Sequence, residues 1–339
     1  MAEPTQSRFA RQDEGGEQGR LLAAFAAVYL IWGSTYLAIR YAIESLPPFL
    51  MAGARFLVAG GVLAAWALAR GARLPTWRHW RSAAIAGGFL LLGGNAGVVW
   101  AEQRVPSGLA ALLVATVPLW MVLVERLRPG GRHPGGRVLL GVALGMAGVT
   151  LLVSRGQFAG GGAVDPAGAA ALVAGSLAWA IGSIYARTAK LPSSPALATG
   201  MEMLCGGAFL TIAGSLAGEW PRLDLAQVSA RSWWSLAYLV TFGSLVGFTA
   251  YIYVLGRTTP AKASTYAFVN PVVAVFLGWA LAGEPVTART LIAAAVIVAA
   301  VVVITLFDSG SSPSRQGAKG NAEEETTDAP PRLRRAGEA

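Results

Sequence analysis

The sequence predicts an all-α membrane protein whose ten transmembrane helices form two inverted five-helix repeats. Three observations predict it. The 339 residues are 54% hydrophobic and only 13% charged, with mean hydropathy +0.52; a soluble chain carries about 25% charged residues to cover its surface. The apolar residues fall in ten blocks of about 20, the length that crosses a hydrocarbon core of roughly 30 Å. Landmarks in the first half of the chain recur in the same order in the second. The blocks are continuously apolar rather than alternating, which sets aside a β-barrel.

Residues 1–19 are polar and carry Glu3, Asp13, Glu14 and Glu17. They do not resemble the basic start of a cleaved signal peptide, so the first block is expected to be a retained signal-anchor behind a disordered N-terminus. Blocks 21–43, 48–69, 82–101, 105–125 and 136–154 make the first repeat, 20–155. Blocks 166–186, 196–217, 232–255, 259–282 and 287–307 make the second, 165–307. Residues 308–339, rich in charge, Gly, Ser and Pro, read as a disordered tail. Alternate connections are arginine-rich: Arg70, Arg73, Arg78 and Arg81; then Arg126, Arg128, Arg132 and Arg137; then Arg187 with Lys190. The connections between them hold few cations. Positive charge marks the cytoplasmic side, so both termini are expected there. The net charge of +9 is thereby accounted for and is not a nucleic-acid signal.

The single cysteine, Cys205, and the two histidines, His79 and His133, are far apart. They support neither a disulfide framework nor a zinc site. No G-x-x-x-x-G-K-[ST] stretch is present, so ATP-driven chemistry is unsupported. No cofactor is expected. An intramembrane enzyme needs a nucleophile with a base, or a metal cluster, at membrane depth, and the sequence offers neither.

A shift of 153 lays Val117-Pro118 over Asn270-Pro271, Ala110 over Ala263 and Gly94 over Gly247. Earlier in each half, "GSTY" (33–36) matches "GSIY" (182–185), and Arg55 in "GARF" falls opposite Glu202 in "GMEM". Five helices is an odd number, so the second copy must enter the membrane from the other side. A pseudo-two-fold axis in the membrane plane then relates the copies, an arrangement that places a binding site between them near mid-depth. Pro118 frees the carbonyl of Val114, and Pro271 that of Ala267. Freed carbonyls need protein or water as partners, so these prolines are expected hinges beside a cavity.

The stretches "WGSTYLAIRYA" (32–42), "PPFLMAGARF" (47–56), "PSGLAALLVATVPLW" (106–120) and "STYAFVNPVVAVFLGWALAGEPVT" (264–287) carry a family resemblance. The chain resembles the drug/metabolite transporter superfamily, specifically its ten-helix members with two EamA-type repeats, over about 20–307. The resemblance implies that helices 1–4 and 6–9 surround a central cavity, with helices 5 and 10 peripheral. It also implies efflux or exchange of small metabolites, amino acids or drugs at a bacterial-type cytoplasmic membrane. The chain departs from the pattern after helix 4, where "ERLRPGGR" stands opposite the Gly283-Glu284-Pro285 turn.

A charged side chain at mid-membrane costs roughly 2.5–3.5 kcal/mol and is functional by default. Arg55, Glu202 and Lys262 are the candidates. Counting about 1.5 Å per residue, Arg55 lies about 10 Å below the outer surface. Glu202 lies about 10 Å, and Lys262 about 6 Å, above the inner one. Glu202 and Lys262 are expected to face each other or one inner vestibule; Lys262 could instead snorkel to the interface. Arg55 is expected at the outer side, with Glu102 or Glu44 as partner. Glu202 reads either as a proton carrier, protons then being the coupling ion, or as half of a structural pair.

Candidate substrate-binding residues are Trp32 and Tyr36, with Ser34 and Thr35; Asn95 after Gly93-Gly94; Thr116; Trp179 and Tyr185, with Ser183; and Tyr251, Tyr266 and Asn270, with Tyr253. Buried hydroxyls and amides need partners, which a cavity supplies as water or ligand, and aromatic faces attract cations. The competing reading of each aromatic residue is an interfacial or lipid-facing position. The expected partners are thus a small molecule and the lipid bilayer. A sugar-phosphate or nucleotide-sugar exchanger would want clustered Lys and Arg, whereas only Arg55 and Lys262 lie at depth, on opposite sides. A channel is the remaining alternative to a carrier.

Overall fold

The computed structural model describes residues 5–105, 107–128, 135–153, 165–282 and 288–307. Among these, all regular structure is helical. The first half holds α1 (Thr5–Ala42), α2 (Pro48–Ala69), α3 (Trp77–Ala101), α4 (Ser107–Val114), α5 (Val117–Leu127) and α6 (Gly136–Val153). The second holds α7 (Pro166–Ala186), α8 (Pro195–Leu216), α9 (Ala230–Arg257), α10 (Pro260–Ala263), α11 (Tyr266–Ala282) and α12 (Ala288–Phe307). The expected tail at 308–339 and the Gly283-Glu284-Pro285 turn lie outside the described residues.

Local chemistry starts many of these helices. Asp165 accepts hydrogen bonds from the backbone of Ala167 and Gly168, Ser194 from Leu197, and Thr259 from Lys262; a proline follows each cap. The caps satisfy donors that a helix start leaves open, and proline at the first helical position sacrifices nothing. The polar N-terminal stretch departs from expectation: it is helical from Thr5 and continuous with α1. Its Arg, Gln and Glu residues are good helix formers that extend an apolar helix already nucleated.

Among the described residues, six helices are long and apolar enough to cross a membrane: Gly16–Ala42, Pro48–Ala69, Trp77–Ala101, Pro166–Ala186, Pro195–Leu216 and Ala230–Arg257. Exposed side chains such as Leu30, Val58, Val62, Trp66, Ile212 and Phe242 cover their outer faces, an apolar exposure that suits lipid rather than water. The blocks at 105–125 and 259–282 are each divided. The first breaks at Ala115-Thr116 and the second at Ser264-Thr265. Pro118 therefore lies in the first turn of α5, not within a continuous helix. Pro271 does stand inside a helix, α11. The two prolines match in sequence but meet different local geometry.

Two further features repeat. Gly88–Asn95 in α3 and Leu239–Val246 in α9 are π-helical, each eight residues long and starting 151 positions apart. A π segment adds a residue to the turn and re-aims the side chains around it. Glycine sets the closest helix contacts. A Cβ on Gly60 would lie 2.7 Å from the Gly200 carbonyl, and one on Gly53 would lie 3.2 Å from that of Gly207. Helices α2 and α8 thus cross antiparallel with backbones touching. In the same way α3 packs on α7, whereas on α9 the glycines Gly243 and Gly247 make room for the Thr35 and Trp32 side chains of α1. Substituting Gly200 by valine drives a side chain into the backbone of Ala64, 2.8 Å from the Cβ site. The expected loss is about 1–3 kcal/mol, read as a lower melting temperature in detergent.

Candidate functional site

Both halves of the chain line one cavity. Helix α1 contributes Trp32, Thr35 and Tyr36; α2 contributes Arg55 and Phe56; and α3 contributes Gly94, Asn95 and Val98. Val114 and Val117 flank the break between α4 and α5. Ser176 and Trp179 come from α7, Gly243 and Phe248 from α9, and Tyr266 and Asn270 from α11. Interrupted backbone at membrane depth is tolerated where it is buried or lines a cavity, and the α4–α5 break does the latter.

One wall is an aromatic cluster. The Trp32 ring lies 4.9 Å from Tyr266, 5.0 Å from Tyr251 and 5.4 Å from Trp179. The Trp32 indole N–H donates to the Gly243 carbonyl at 3.1 Å. Gly247 must stay without a side chain, because a Cβ there would meet that indole nitrogen at 2.6 Å. Behind this wall, Tyr251 is fully buried; its hydroxyl shares a 2.6 Å hydrogen bond with Ser183 and accepts one from the Trp179 indole. Tyr251 positions Trp179 rather than lining the cavity.

The polar groups are few. Arg55 is 4% exposed. Its Nε donates to the Ser244 hydroxyl at 2.7 Å, its guanidinium carbon lies 4.6 Å from the Phe56 ring centre, and its Nη1 has no hydrogen-bond partner. Asn270 is 2% exposed, and its Oδ1 and that of Asn95 are left without hydrogen-bond partners. The second π segment supplies both Ser244 and Gly243; a Cβ on Gly243 would come within 2.9 Å of Arg55 Nη2.

The structure therefore brings Trp32, Tyr36, Asn95, Trp179, Tyr266, Asn270 and Arg55 around one space. Thr116 stays beside it, with its hydroxyl donating to the Leu113 carbonyl. Tyr185, Lys262 and Glu202 are not on its wall. Two expected pairings are corrected. Arg55 has no carboxylate within 4.0 Å among the described residues; Glu44 instead pairs with Arg231 at 3.1 Å, and both Glu102 carboxylate oxygens are buried without partners. Glu202, 1% exposed, likewise has no partner on either oxygen and makes no ion pair with Lys262. Similar depth does not make two side chains face each other; azimuth around each helix decides that. Sequence reasoning missed Phe248, Val98, Ser176 and the Gly243-Ser244 support. Apolar and small cavity residues carry no signal in an apolar chain, although the two π segments sit at the glycine-rich stretches "GGFLLLGGN" and "LVTFGSLVG".

The EamA-like transporter family pattern matches residues 19–154 and again 166–306. The inner membrane transporter YedA of Escherichia coli K12, itself uncharacterized, is 44% identical over 84% of this chain and 90% of its own. The uncharacterized transporter YvbV of Bacillus subtilis is 25% identical over 80% of this chain and 86% of its own. A crystal structure at 25% identity superposes with a TM-score of 0.68, covering 85% of this chain and 97% of the other. The double match across nearly all the helical residues, joined to the cavity between the halves, makes the chain a member of the EamA-like transporter family.

Proposed function

We propose that the chain is a secondary-active exporter of small organic molecules that works by alternating access to the cavity between its halves. The carrying observation is that both halves line one space with a mixed polar and aromatic wall. The halves are inverted copies of five spans each. Support comes from the α2–α8 contact, where Gly53 meets Gly207 and Gly60 meets Gly200. Under the repeat offset of 147, Gly53 corresponds to Gly200 and Gly60 to Gly207, so each contact is the other's image under a two-fold axis. The matched π segments support the same relation. Five inverted spans per half put both termini in the cytoplasm, with the arginine-rich connections.

Trp32, Tyr36, Asn95, Trp179, Tyr266 and Asn270 bind the transported molecule. The α4–α5 and α10–α11 breaks, with Pro118 and Pro271, are the hinges. Tyr29 ties α1 to the second break through a 2.6 Å hydrogen bond to Thr265. Protons are the coupling ion and Glu202 is the group that carries them. Export is the direction suggested by the family resemblance.

The test is counterflow in proteoliposomes preloaded with amino acids and small metabolites. Saturable exchange that falls at least tenfold in Asn270→Ala supports a carrier with its site between the halves. Linear, unsaturable flux would mean a channel.

A further inference from the structure

The connection between α2 and α3 is a compact corner that carries cations and no counter-charge. Gly71, at φ 85°, ends α2, and backbone hydrogen bonds from Gly71 to Leu68 and from Ala72 to Ala67 close the turn. The Thr76 backbone N–H donates to His79 Nδ1 at 3.3 Å as α3 begins. Ala67 and Ala83 share one buried cluster with Leu197 and Met201 of α8, so the end of α2 and the start of α3 stand side by side. Arg70, Arg73, Arg78 and Arg81 are all exposed around this corner. Between Glu44 and Glu102 the sequence holds no Asp or Glu. The ion pairs of the described residues, Arg104–Asp165, Arg128–Glu125, Arg231–Glu44 and Arg257–Glu17, include none of the four.

Large apolar side chains are interleaved with these arginines. Leu74 and Trp77 are each 79% exposed, and Trp66 and Trp80 are exposed too. The Arg70 guanidinium carbon lies 5.5 Å from the Trp66 ring centre. At the start of α3, Ser82, Ala83 and Ala86 are buried, whereas Trp77, Arg78, Trp80 and Arg81 are exposed. The outward face is thus cationic and aromatic at once. Topology asks only that cations gather on one side of the membrane; it does not ask for exposed tryptophans among them. Tryptophan settles at headgroup level, where its ring meets acyl chain and its N–H meets water. Arginine holds phosphate through paired N–H donors. In other connections, Arg104 and Arg231 are matched instead by carboxylates of the protein itself.

We propose that this corner is a docking site for anionic phospholipid headgroups, with Arg73, Arg78 and Arg81 on the phosphates and Leu74 and Trp77 among the acyl chains. The lipid supplies the counter-charge that residues 45–101 lack. The corner joins α2, whose backbone touches α8, to α3, whose π segment brings Gly94 and Asn95 to the cavity. A bound lipid therefore braces the ends of two helices on which the cavity is built. The site is independent of what the cavity carries.

The experiment uses the full chain in a non-ionic detergent, titrated with dioleoylphosphatidylglycerol, dioleoylphosphatidylcholine or glycerol 3-phosphate. The readouts are the shift in melting temperature and the quenching of tryptophan fluorescence by brominated forms of the two lipids. An arginine near an anionic lipid surface adds about fivefold in affinity. Phosphatidylglycerol is therefore expected to stabilise and quench at concentrations lower than phosphatidylcholine by about tenfold or more. Arg78→Gln should narrow that preference severalfold, and Arg73→Gln, Arg78→Gln and Arg81→Gln together should abolish it. These side chains are exposed and in no ion pair, so the variants are expected to fold. Arg104→Gln, which removes one positive charge elsewhere, should keep the full preference. Equal response to the two lipids, or a preference that survives in the folded triple variant, would overturn the proposal. A preference narrowed as much by Arg104→Gln as by Arg78→Gln would overturn it in favour of net charge alone. Stabilisation by glycerol 3-phosphate equal to that by phosphatidylglycerol would overturn it in favour of a soluble-phosphate site.

Discussion

Replacing Trp32 by alanine is expected to cost about 3–5 kcal/mol of stability, the usual loss for a buried large aromatic, and to abolish exchange. Trp32 is 8% exposed and touches Trp179, Phe248, Tyr251 and Tyr266. Its loss opens the wall of the cavity and leaves the Gly243 carbonyl without its indole donor. Because Gly243 also sits against Arg55, the damage reaches the charged group. Trp32→Phe separates the two effects. It keeps most of the ring volume and loses the N–H, so stability should fall by only about 1 kcal/mol, the order of one hydrogen bond, while exchange falls further than stability does. Melting in detergent and counterflow in proteoliposomes check both variants.

The second large effect is at Glu202. Its two carboxylate oxygens are buried with no partner, and the Gly87 turn of α3 packs against its backbone carbonyl. Its electrostatic neighbours are Cys205 on its own helix and Tyr251 from α9; the Thr199 hydroxyl, one turn earlier, is also unpartnered. A buried charge with no partner is costly to keep out of water, so removing it should not destabilise the fold. Glu202→Gln is therefore expected to melt no lower than the parent. In transport it is expected to keep exchange at equal pH and lose the response to a pH gradient. Exchange by Glu202→Gln that still follows the gradient would remove Glu202 as the coupling group. A large loss of stability would show that the carboxylate has a structural partner.

The helices were legible because apolar block length and cap-proline pairs, such as Asp165-Pro166 and Ser194-Pro195, act locally. The double family match was legible as repeated landmarks, and residues that line the cavity, Asn95 and Asn270 among them, were legible as polar exceptions in apolar blocks. The π segments were not, because hydrophobic periodicity vanishes where every residue is apolar. The division at Ser264-Thr265 lies six residues before Pro271, so proline position alone does not locate it. The expected Glu202–Lys262 and Arg55–Glu102 pairings relied on depth, which is one coordinate of three. The support of Arg55 by Ser244 joins residues 189 positions apart and needs the packing of α2 on α9.

Alternating access of the cavity is tested most directly by thiol accessibility. Val98→Cys, placed on the cavity wall in a Cys205→Ala background, would be probed with a membrane-impermeant thiol reagent from each side of sealed vesicles. The account predicts labelling from both sides, slowed by an exchanging substrate, in vesicles that do not leak. Labelling from one side only, in protein that still exchanges substrate, would contradict it.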